Sequence, residues 1–201
     1  MKRLGILFVI SAPSGAGKST ICSSLRQTPD TVYAVSCTTR TPRAGETDGE
    51  DYHFMDAADF ERRIASGDFL EYARVHDHYY GTLRQSIVDT LREGTDVLVD
   101  IDVQGADTIR QSTDPFISDS LVDIFIMPPS LDELRHRLEK RGTESAEQID
   151  FRLTNAAAEM KCWREYKYTI ISGSMEEDLT KFRAITRAER YLSRRIISLE
   201  S

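Results

Sequence analysis

Nine residues near the N-terminus combine a permissive backbone with a cation and hydroxyl groups. They are Ala12, Pro13, Ser14, Gly15, Ala16, Gly17, Lys18, Ser19 and Thr20. The segment fits the phosphate-binding pattern G-x-x-x-x-G-K-[ST], except that Ala12 occupies the first glycine position. Glycines let backbone N–H groups approach an anion, Lys18 adds a point charge for the β and γ phosphates, and the Ser19 hydroxyl can reach Mg²⁺. The pattern predicts an ATP-type nucleotide site, and its alternative is a glycine-rich turn beside a solvated lysine.

A second polar set lies in residues 36–84. Arg40 and Arg43 are three residues apart and can clamp a second phosphate, with Glu46 placed to orient one of them. More hydroxyls and a carboxylate follow in this segment: Tyr52, Glu71, Tyr80 and Thr82. These groups suit a small polar ligand that carries a phosphate. Without such neighbours, an acid in the setting of Glu71 is more often a surface residue.

Two acids and two arginines farther along the chain extend the candidate set. Asp100 and Asp102 follow an apolar run, and strand ends in an open parallel sheet face the ligand crevice. There they can hold water on Mg²⁺ or accept from a nucleotide hydroxyl, although their spacing also allows two solvated residues. Arg137 and Arg141 are one helical turn apart and can project from one side of a helix. Such arginines can stabilise a transferring phosphoryl group, and a solvated arginine-rich helix is the alternative.

The elements that must position these residues alternate between strands and helices, which predicts an α/β fold. Unbroken apolar runs at 4–10, 97–99, 122–127 and 168–171 suit parallel strands covered on both faces. A helix is expected at 18–27, and another carries the stripe Leu131, Leu134 and Leu138. Two more begin at the serines of capping boxes, Ser145 with Gln148 and Ser174 with Glu177, and the last of them extends through Leu192.

Two segments interrupt the alternation. Residues 36–84 are polar and contain short elements of their own, so they predict an inserted subdomain. Residues 130–156 are rich in arginine and short of strand signals, which predicts a second insertion. The core of the single expected domain then comprises residues 1–35, 85–129 and 157–201.

Composition and charge exclude several classes of protein. The 201 residues are 40% hydrophobic and 29% charged, as in ordinary globular proteins. A net charge of −7 argues against a general nucleic-acid binder. The apolar run at 4–10 is too short for a membrane span, and the phosphate-binding pattern follows it instead of a cleavage site, so we expect a buried strand rather than a secretory signal. The three cysteines have no CxxC spacing, which indicates a reducing, cytoplasmic compartment.

Together these motifs show that the chain resembles the guanylate kinases, which phosphorylate GMP with ATP. The resemblance covers nearly the whole chain and is most specific in A-P-S-G-A-G-K-S, S-C-T-T-R-T-P-R-A-G-E, Y-Y-G-T, D-I-D-V-Q-G and L-E-K-R-G-T-E. It implies a P-loop parallel-sheet core, a GMP-binding insert at 36–84 and a helical lid over ATP at 130–156. ATP and GMP are then the substrates and Mg²⁺ the cofactor. No nucleic-acid or membrane partner is expected, and monomer and homo-oligomer both stay open.

The resemblance also assigns roles to single residues. Glu71 matches the carboxylate that accepts from guanine N1–H and N2–H₂, while Ser36 and Thr82 match hydroxyls near the guanine edge. The ligands of the GMP phosphate correspond to Arg40, Arg43, Tyr52 and Tyr80. Arg152 matches another arginine of the family. The full GMP-binding set adds Glu46, Asp100 and Asp102, and the catalytic set is Lys18, Arg43, Arg137, Arg141 and Arg152. Chemistry supports the role of Glu71 independently, because adenine would present a ring acceptor where guanine presents a donor.

Two other functions stay open. One is a non-catalytic guanylate-kinase-like module that binds a protein partner, against which the intact Gly17-Lys18-Ser19 counts. The other is a kinase for a different nucleotide, against which Glu71 counts. The chain also departs from the family at Ser172-Gly173-Ser174, where an Asn-Asp-Asp-like segment commonly contacts adenine. We therefore expect weak discrimination between donor bases.

Overall fold

The computed structural model describes residues 2–26, 31–75, 77–142 and 144–197, without the side chains of Lys2, Ser19 and Ile197. The strands are β1 Lys2–Arg3, β2 Leu7–Ser11, β3 Thr31–Tyr33, β4 Cys37–Thr38, β5 His53–Phe54, β6 Phe69–Val75, β7 His78–Leu83, β8 Asp96–Asp100, β9 Leu121–Met127, β10 Tyr168–Ile171 and β11 Ile196–Ile197. The α-helices are α1 Lys18–Leu25, α2 Ala57–Ser66, α3 Arg84–Arg92, α4 Val103–Arg110, α5 Pro115–Ser120, α6 Leu131–Arg141, α7 Ala146–Glu159 and α8 Met175–Arg190. Short 3₁₀ helices cover Met160–Glu165 and Ser193–Arg195.

Five parallel strands form the central sheet in the order β10-β9-β2-β8-β3, which confirms the expected α/β class. Every residue of β2 is buried, because the strand lies between β8 and β9 and helices cover both faces. Phe8 and Ile10 pack with α1 and α8, while Leu7 and Val9 pack with α3 and α4. Since the strands are parallel, β2 and β8 end at the same edge, which brings the loop after β2 close to Asp100.

The chain reaches this sheet later than the apolar run suggests. The Gly5 N–H donates to the Leu91 carbonyl at 2.8 Å, and a Cβ on Gly5 would lie 2.1 Å from the Thr95 carbonyl oxygen. The Leu4 N–H likewise donates to the Arg195 carbonyl, so residues 4 and 5 bond outside the central sheet and the strand expected at 4–10 starts too early. Helix α1, which follows the loop after β2, ends at Leu25. The sequence predicts a helix that reaches Gln27, and that residue lies outside the described residues.

A second sheet lies between β3 and α3 along the chain, with the strand order β5-β4-β7-β6. Helix α2 covers it through Phe60, whose ring stacks on Phe69 and Tyr79 with centroid separations of 4.3 and 5.2 Å. This cluster is separate from the central cores. The pairing of β6 with β7 shifts register after Phe69, and Glu71 then lies opposite Thr82.

Helices α6 and α7 have an apolar cluster of their own, formed by Leu134, Leu138, Ile149, Leu153 and Ala156. The predicted capping box at the start of α7 is confirmed, with Ser145 and Gln148 each bonded to the other's backbone. Leu131 is the first residue of α6 and is 38% exposed, so the expected stripe is shorter than predicted. This cluster carries the arginines of both helices toward the loop after β2.

The last helix, α8, closes the fold over the central sheet. Its predicted capping box of Ser174 and Glu177 is confirmed, but the helix ends at Arg190 instead of continuing through Leu192. At that end, Arg190 Nε donates to buried Asp96 at 2.7 Å, and Arg3 donates to the same carboxylate at 2.6 Å. Two arginines on one buried acid join the start of the chain and the end of α8 to β8.

Candidate active site

The loop after β2 leaves an open space at the N-terminus of α1. Gly15 and Gly17 have φ angles of 90° and 98°, a region in which glycine is favoured, and Gly17 caps α1. The cavity here measures about 380 Å³ and is lined by Ala12, Pro13, Ser14, Gly15, Gly17, Lys18, Thr20, Arg141, Arg152 and Glu159. Loop N–H groups and the helix dipole together favour an anion. The predicted Mg²⁺ contact of Ser19 concerns a side chain outside the described part of the structure.

Lys18 reaches from the start of α1 to the end of β8. Its Nζ donates to the Ile101 carbonyl at 2.9 Å and forms an ion pair with the Asp100 carboxylate. The Tyr33 hydroxyl donates to the second oxygen of that carboxylate at 3.5 Å. The ammonium group of Lys18 therefore lies between the loop cavity and a second cavity that contains Glu71. It is already bonded to oxygen atoms of the chain.

The three candidate arginines of α6 and α7 lie beside the loop. Arg152 donates to the Ser14 hydroxyl at 3.0 Å and forms an ion pair with Glu144 at 3.0 Å. Arg137 donates to the Ser172 hydroxyl at 2.7 Å and to Glu133 at 2.8 Å. Arg141 lines the loop cavity with Arg152. The helices that carry these arginines are seated on the loop, since a Cβ on Gly15 would lie 2.8 Å from Leu138 Cδ2.

A second cavity, of about 170 Å³, separates the two sheets. Its lining contains Lys18, Ser36, Tyr52, Glu71, Ala73, Val75, Tyr80, Gly81, Asp100, Ile101 and Asp102. Glu71 is 6% exposed, and its Oε1 accepts from the Thr82 hydroxyl at 2.6 Å. Burial raises the pKa of Glu71, the Thr82 hydrogen bond opposes that rise, and the nearby charge of Asp102 adds to it. The cavity thus offers a fixed carboxylate at one end and Lys18 at the other.

Tyr52 and Tyr80 line the second cavity, and Arg40 lies beside the Tyr52 ring. Both guanidinium N–H₂ groups of Arg40 donate to Glu46, at 2.9 and 2.8 Å. The hydrogen bonds from Arg40, and then from the Arg43 backbone N–H, lower the pKa of Glu46 to about 2. Arg40 lies over the Tyr52 ring at 5.4 Å, and Tyr52 meets Tyr80 edge-on with ring centroids 6.0 Å apart. Glu46 thus orients Arg40, while the side chain of Arg43 is exposed to solvent.

The two aspartates at the end of β8 have different surroundings: Asp100 is the last residue of the strand, and Asp102 lies two residues beyond it. Asp100 pairs with Lys18, whereas the Asp102 carboxylate caps α4 by accepting from the Gly105 N–H at 2.8 Å. Both line the cavity with Glu71. The structure therefore places both where the sequence predicts, at the crevice edge of the sheet, and gives Asp102 a structural task that the spacing does not reveal.

A sequence profile described as guanylate kinase matches residues 5–189. The chain belongs to the guanylate kinase family. A guanylate kinase of Caldanaerobacter subterraneus subsp. tengcongensis is 44% identical over 191 residues, which cover 94% of this chain and 90% of that protein. One of Sphingopyxis alaskensis is 45% identical over 200 residues, covering 99% of this chain and 89% of that protein.

The fold agrees with this membership of the guanylate kinase family. The crystal structure of a guanylate kinase from Anaplasma phagocytophilum superposes with a TM-score of 0.78 at 34% identity, covering 99% of this chain and 93% of that one. A gluconokinase from Sinorhizobium meliloti gives a TM-score of 0.50 at 16% identity, which is a likeness of fold alone. Among the described residues, no helix is both long and apolar enough to cross a membrane.

Some residues of this guanylate kinase site are missed by sequence reasoning. Glu144 pairs with Arg152, and Glu159 lines the loop cavity, where burial raises its pKa. Glu144 lies between α6 and α7 and Glu159 is the last residue of α7, and the sequence assigns a role to neither because their partners are not close to them in sequence. Gly105 lies behind Glu71, and here a signal exists: a glycine within a helical pattern often marks a close approach.

The oxygen groups of this guanylate kinase site suit a hard cation that enters with a nucleotide. Asp100, Asp102 and the Ile101 carbonyl lie near Lys18, and carboxylate and carbonyl oxygens are the ligands that Mg²⁺ prefers. In the described part of the chain, no group of three or more acidic, histidine or cysteine side chains is arranged to hold a metal alone.

Proposed function

We propose that the chain transfers the γ-phosphoryl group of ATP to GMP, giving ADP and GDP. The observation that carries this proposal is that Lys18 lines both cavities, one at the phosphate loop and one that ends at Glu71. A nucleotide in each cavity would direct its phosphates toward the same ammonium group. That arrangement suits phosphoryl transfer between two nucleotides.

The acceptor end of the site fits guanine. Glu71, already held by Thr82, would accept from N1–H and N2–H₂, with the Ser36 hydroxyl nearby. Adenine has neither of these donors, so the buried carboxylate would keep Thr82 but receive no hydrogen bond from the base. Arg40, Arg43, Tyr52 and Tyr80 would bind the GMP phosphate.

The donor end fits a triphosphate. Residues 12–20 would hold its phosphates through backbone N–H groups and Lys18. A GMP phosphate oxygen attacks the γ phosphorus, the bond from γ phosphorus to the β–γ bridging oxygen breaks, and ADP leaves. Lys18, Arg43, Arg137, Arg141 and Arg152 would stabilise the charge that develops on the transferred group, so the protein needs no nucleophile of its own. These groups would orient both phosphates and exclude water.

Mg²⁺ would neutralise charge on the β and γ phosphate oxygens when it is bound with ATP. Ser19 and, through water, Asp100 are the residues that would hold it. The ion pair between Lys18 and Asp100 supports this assignment, because it shows the Asp100 carboxylate to be within reach of a cation at the loop.

The same proposal divides the chain by task. Residues 36–84 would bind GMP and residues 130–156 would cover ATP, while 1–35, 85–129 and 157–201 form the core. A cytoplasmic location is supported by the thiols of Cys22, Cys37 and Cys162, which are free in the structure.

A coupled assay of ADP release with GMP, AMP, CMP and UMP tests the function. We expect GMP to be used with the highest kcat/KM and AMP to be a poor acceptor. A kinase for another nucleotide would prefer AMP, CMP or UMP. A folded protein that binds GMP but releases no ADP with any acceptor would be a non-catalytic interaction module.

A further inference from the structure

Gly105 occupies a place in α4 where the backbone does not need a glycine. It is the third residue of the helix, after the cap Asp102, and its φ is not positive. Glycine destabilises a helix relative to alanine, so a buried helical glycine calls for another reason. That reason is the space beside it.

The space beside Gly105 is filled by the carboxylate of Glu71, the group proposed to bind guanine. A Cβ on Gly105 would lie 3.0 Å from Glu71 Oε2 and 3.2 Å from Ile101 Cδ1, both closer than an ordinary van der Waals contact. The other carboxylate oxygen of Glu71 accepts from Thr82 at 2.6 Å. Glu71 is therefore confined between a hydroxyl on β7 and the bare backbone of α4.

The confinement determines how far the carboxylate projects into the cavity. Glu71 is 6% exposed, so an added methyl group on Gly105 can displace its carboxylate only toward the cavity or against Thr82. Either shift alters the hydrogen bonds to a bound base, which weaken steeply as distance and angle leave their optimum. Because α4 follows the core strand β8 and Glu71 belongs to the second sheet, the contact also sets the spacing between the two sheets.

We propose that Gly105 is a positioning residue that sets the depth of Glu71 in the cavity and thereby the affinity for the guanine base. This inference rests on the proposed function. It assigns Gly105 no contact with the substrate, since its effect passes through the carboxylate of Glu71.

The test compares Gly105→Ala with Thr108→Ala, which changes an exposed residue of the same helix. We expect Gly105→Ala to raise KM for GMP about tenfold, with kcat within about twofold and KM for ATP unchanged, since a weakened hydrogen bond to a charged group has about this effect. Thr108→Ala should keep wild-type constants. A folded Gly105→Ala with wild-type KM for GMP overturns the inference and leaves the function standing. A wild-type protein that does not phosphorylate GMP overturns the function itself.

A second background isolates the contact with Glu71. In Glu71→Ala the carboxylate is absent, so adding Gly105→Ala should leave KM for GMP unchanged within about twofold. A further rise in that background would show that Gly105 acts by another route and would contradict the proposal. If the single variant fails to fold, a double variant that folds supports the contact with Glu71. A double variant that also fails makes Ile101 the reason for the glycine and overturns the inference.

Discussion

The charged groups at the two ends of the site are held in different ways. At the proposed guanine end, Glu71 is buried, bonded to Thr82 and adjacent to Gly105. At the phosphate end, Lys18 and Arg152 are partly exposed, and each is paired with an acid of the chain. A base could enter the first end without moving its carboxylate, whereas phosphates at the second end must take the place of acids already present.

This difference indicates where selectivity and catalysis arise. A carboxylate that is already held in place loses little conformational entropy when a base binds. It can discriminate between bases because a base without matching donors leaves the buried charge without a hydrogen bond from the ligand. Lys18 and Arg152, by contrast, are neutralised by acids of the chain until the phosphates of the substrate replace those acids. The first end therefore should respond to mutation mainly in selectivity for the acceptor, and the second mainly in turnover.

The largest effect should follow from removal of Lys18, which tests the phosphate end. We expect Lys18→Ala to lower kcat by at least about a hundredfold, because the variant loses a charge used on the transferring group. The Tm of the variant should stay close to that of the wild type, because the side chain of Lys18 does not pack in the hydrophobic core. Near-native turnover in the folded variant would refute the phosphate-loop assignment.

Glu71→Ala tests the guanine end. We expect a loss of about 2–3 kcal/mol in kcat/KM for GMP, because the donors of a buried guanine lose a charged acceptor. The loss should be smaller with IMP, which lacks the exocyclic amine, and kcat at saturating GMP should fall less than in Lys18→Ala. Equal losses for GMP and IMP would mean that Glu71 does not read the 2-amino group.

The pH dependence of GMP use separates the two ends further. The pKa of Glu71 is raised above the 4.5 of an ordinary glutamate, mainly by burial. As pH falls, Glu71 should therefore bind a proton earlier than other glutamates, and kcat/KM for GMP should fall by up to about tenfold per pH unit. Its effect on folding has the opposite sign: the stabilisation is complete below the unfolded pKa and is lost as pH rises through the folded one.

Glu71→Gln provides the control for this profile. GMP phosphate titrates equally with both proteins, so the part of the acid limb that belongs to Glu71 should be missing in the variant. Identical profiles for the two proteins would assign the acid limb to the substrate or to another group.

The smallest effect is expected from Glu144, the partner of Arg152. Glu144→Gln should lower KM for ATP by up to about fivefold. A partly exposed ion pair contributes roughly 0.2–1 kcal/mol, and in the variant this pair no longer competes with phosphate for Arg152. Glu147→Gln, an exposed acid in the first turn of α7, should leave KM unchanged. An increase of KM in Glu144→Gln would show that Glu144 orients Arg152 for ATP instead of occupying it.

The sequence predicts the groups of this site better than their pairing. The phosphate loop is contiguous, and its glycines, lysine and flanking elements can be recognised together. Arg152 and Ser14, in contrast, are 138 residues apart, and their contact depends on how α6 and α7 pack on the loop. The sequence predicts that Glu46 orients Arg40 or Arg43, because all three lie in one short segment, and the structure pairs it with Arg40.

The fold shows the same limit. Unbroken apolar runs identify the parallel strands, and side-chain spacing identifies both capping boxes. The start of β2 is missed because the N–H groups of Leu4 and Gly5 donate to Arg195 and Leu91, residues distant in sequence. Ser172 belongs to the segment that departs from the family's adenine contact, and its hydroxyl accepts from Arg137, a partner that local sequence does not indicate.

A crystal structure with GMP, a non-hydrolysable ATP analogue and Mg²⁺ tests the contrast between the two ends most directly. Lys18 Nζ should leave Asp100 for the phosphates of the donor, while the Thr82 hydroxyl stays on Glu71 and the carboxylate accepts from guanine N1–H. If Lys18 remains on Asp100 with both nucleotides bound, or if the guanine base binds away from Glu71, the two ends do not differ in the way proposed.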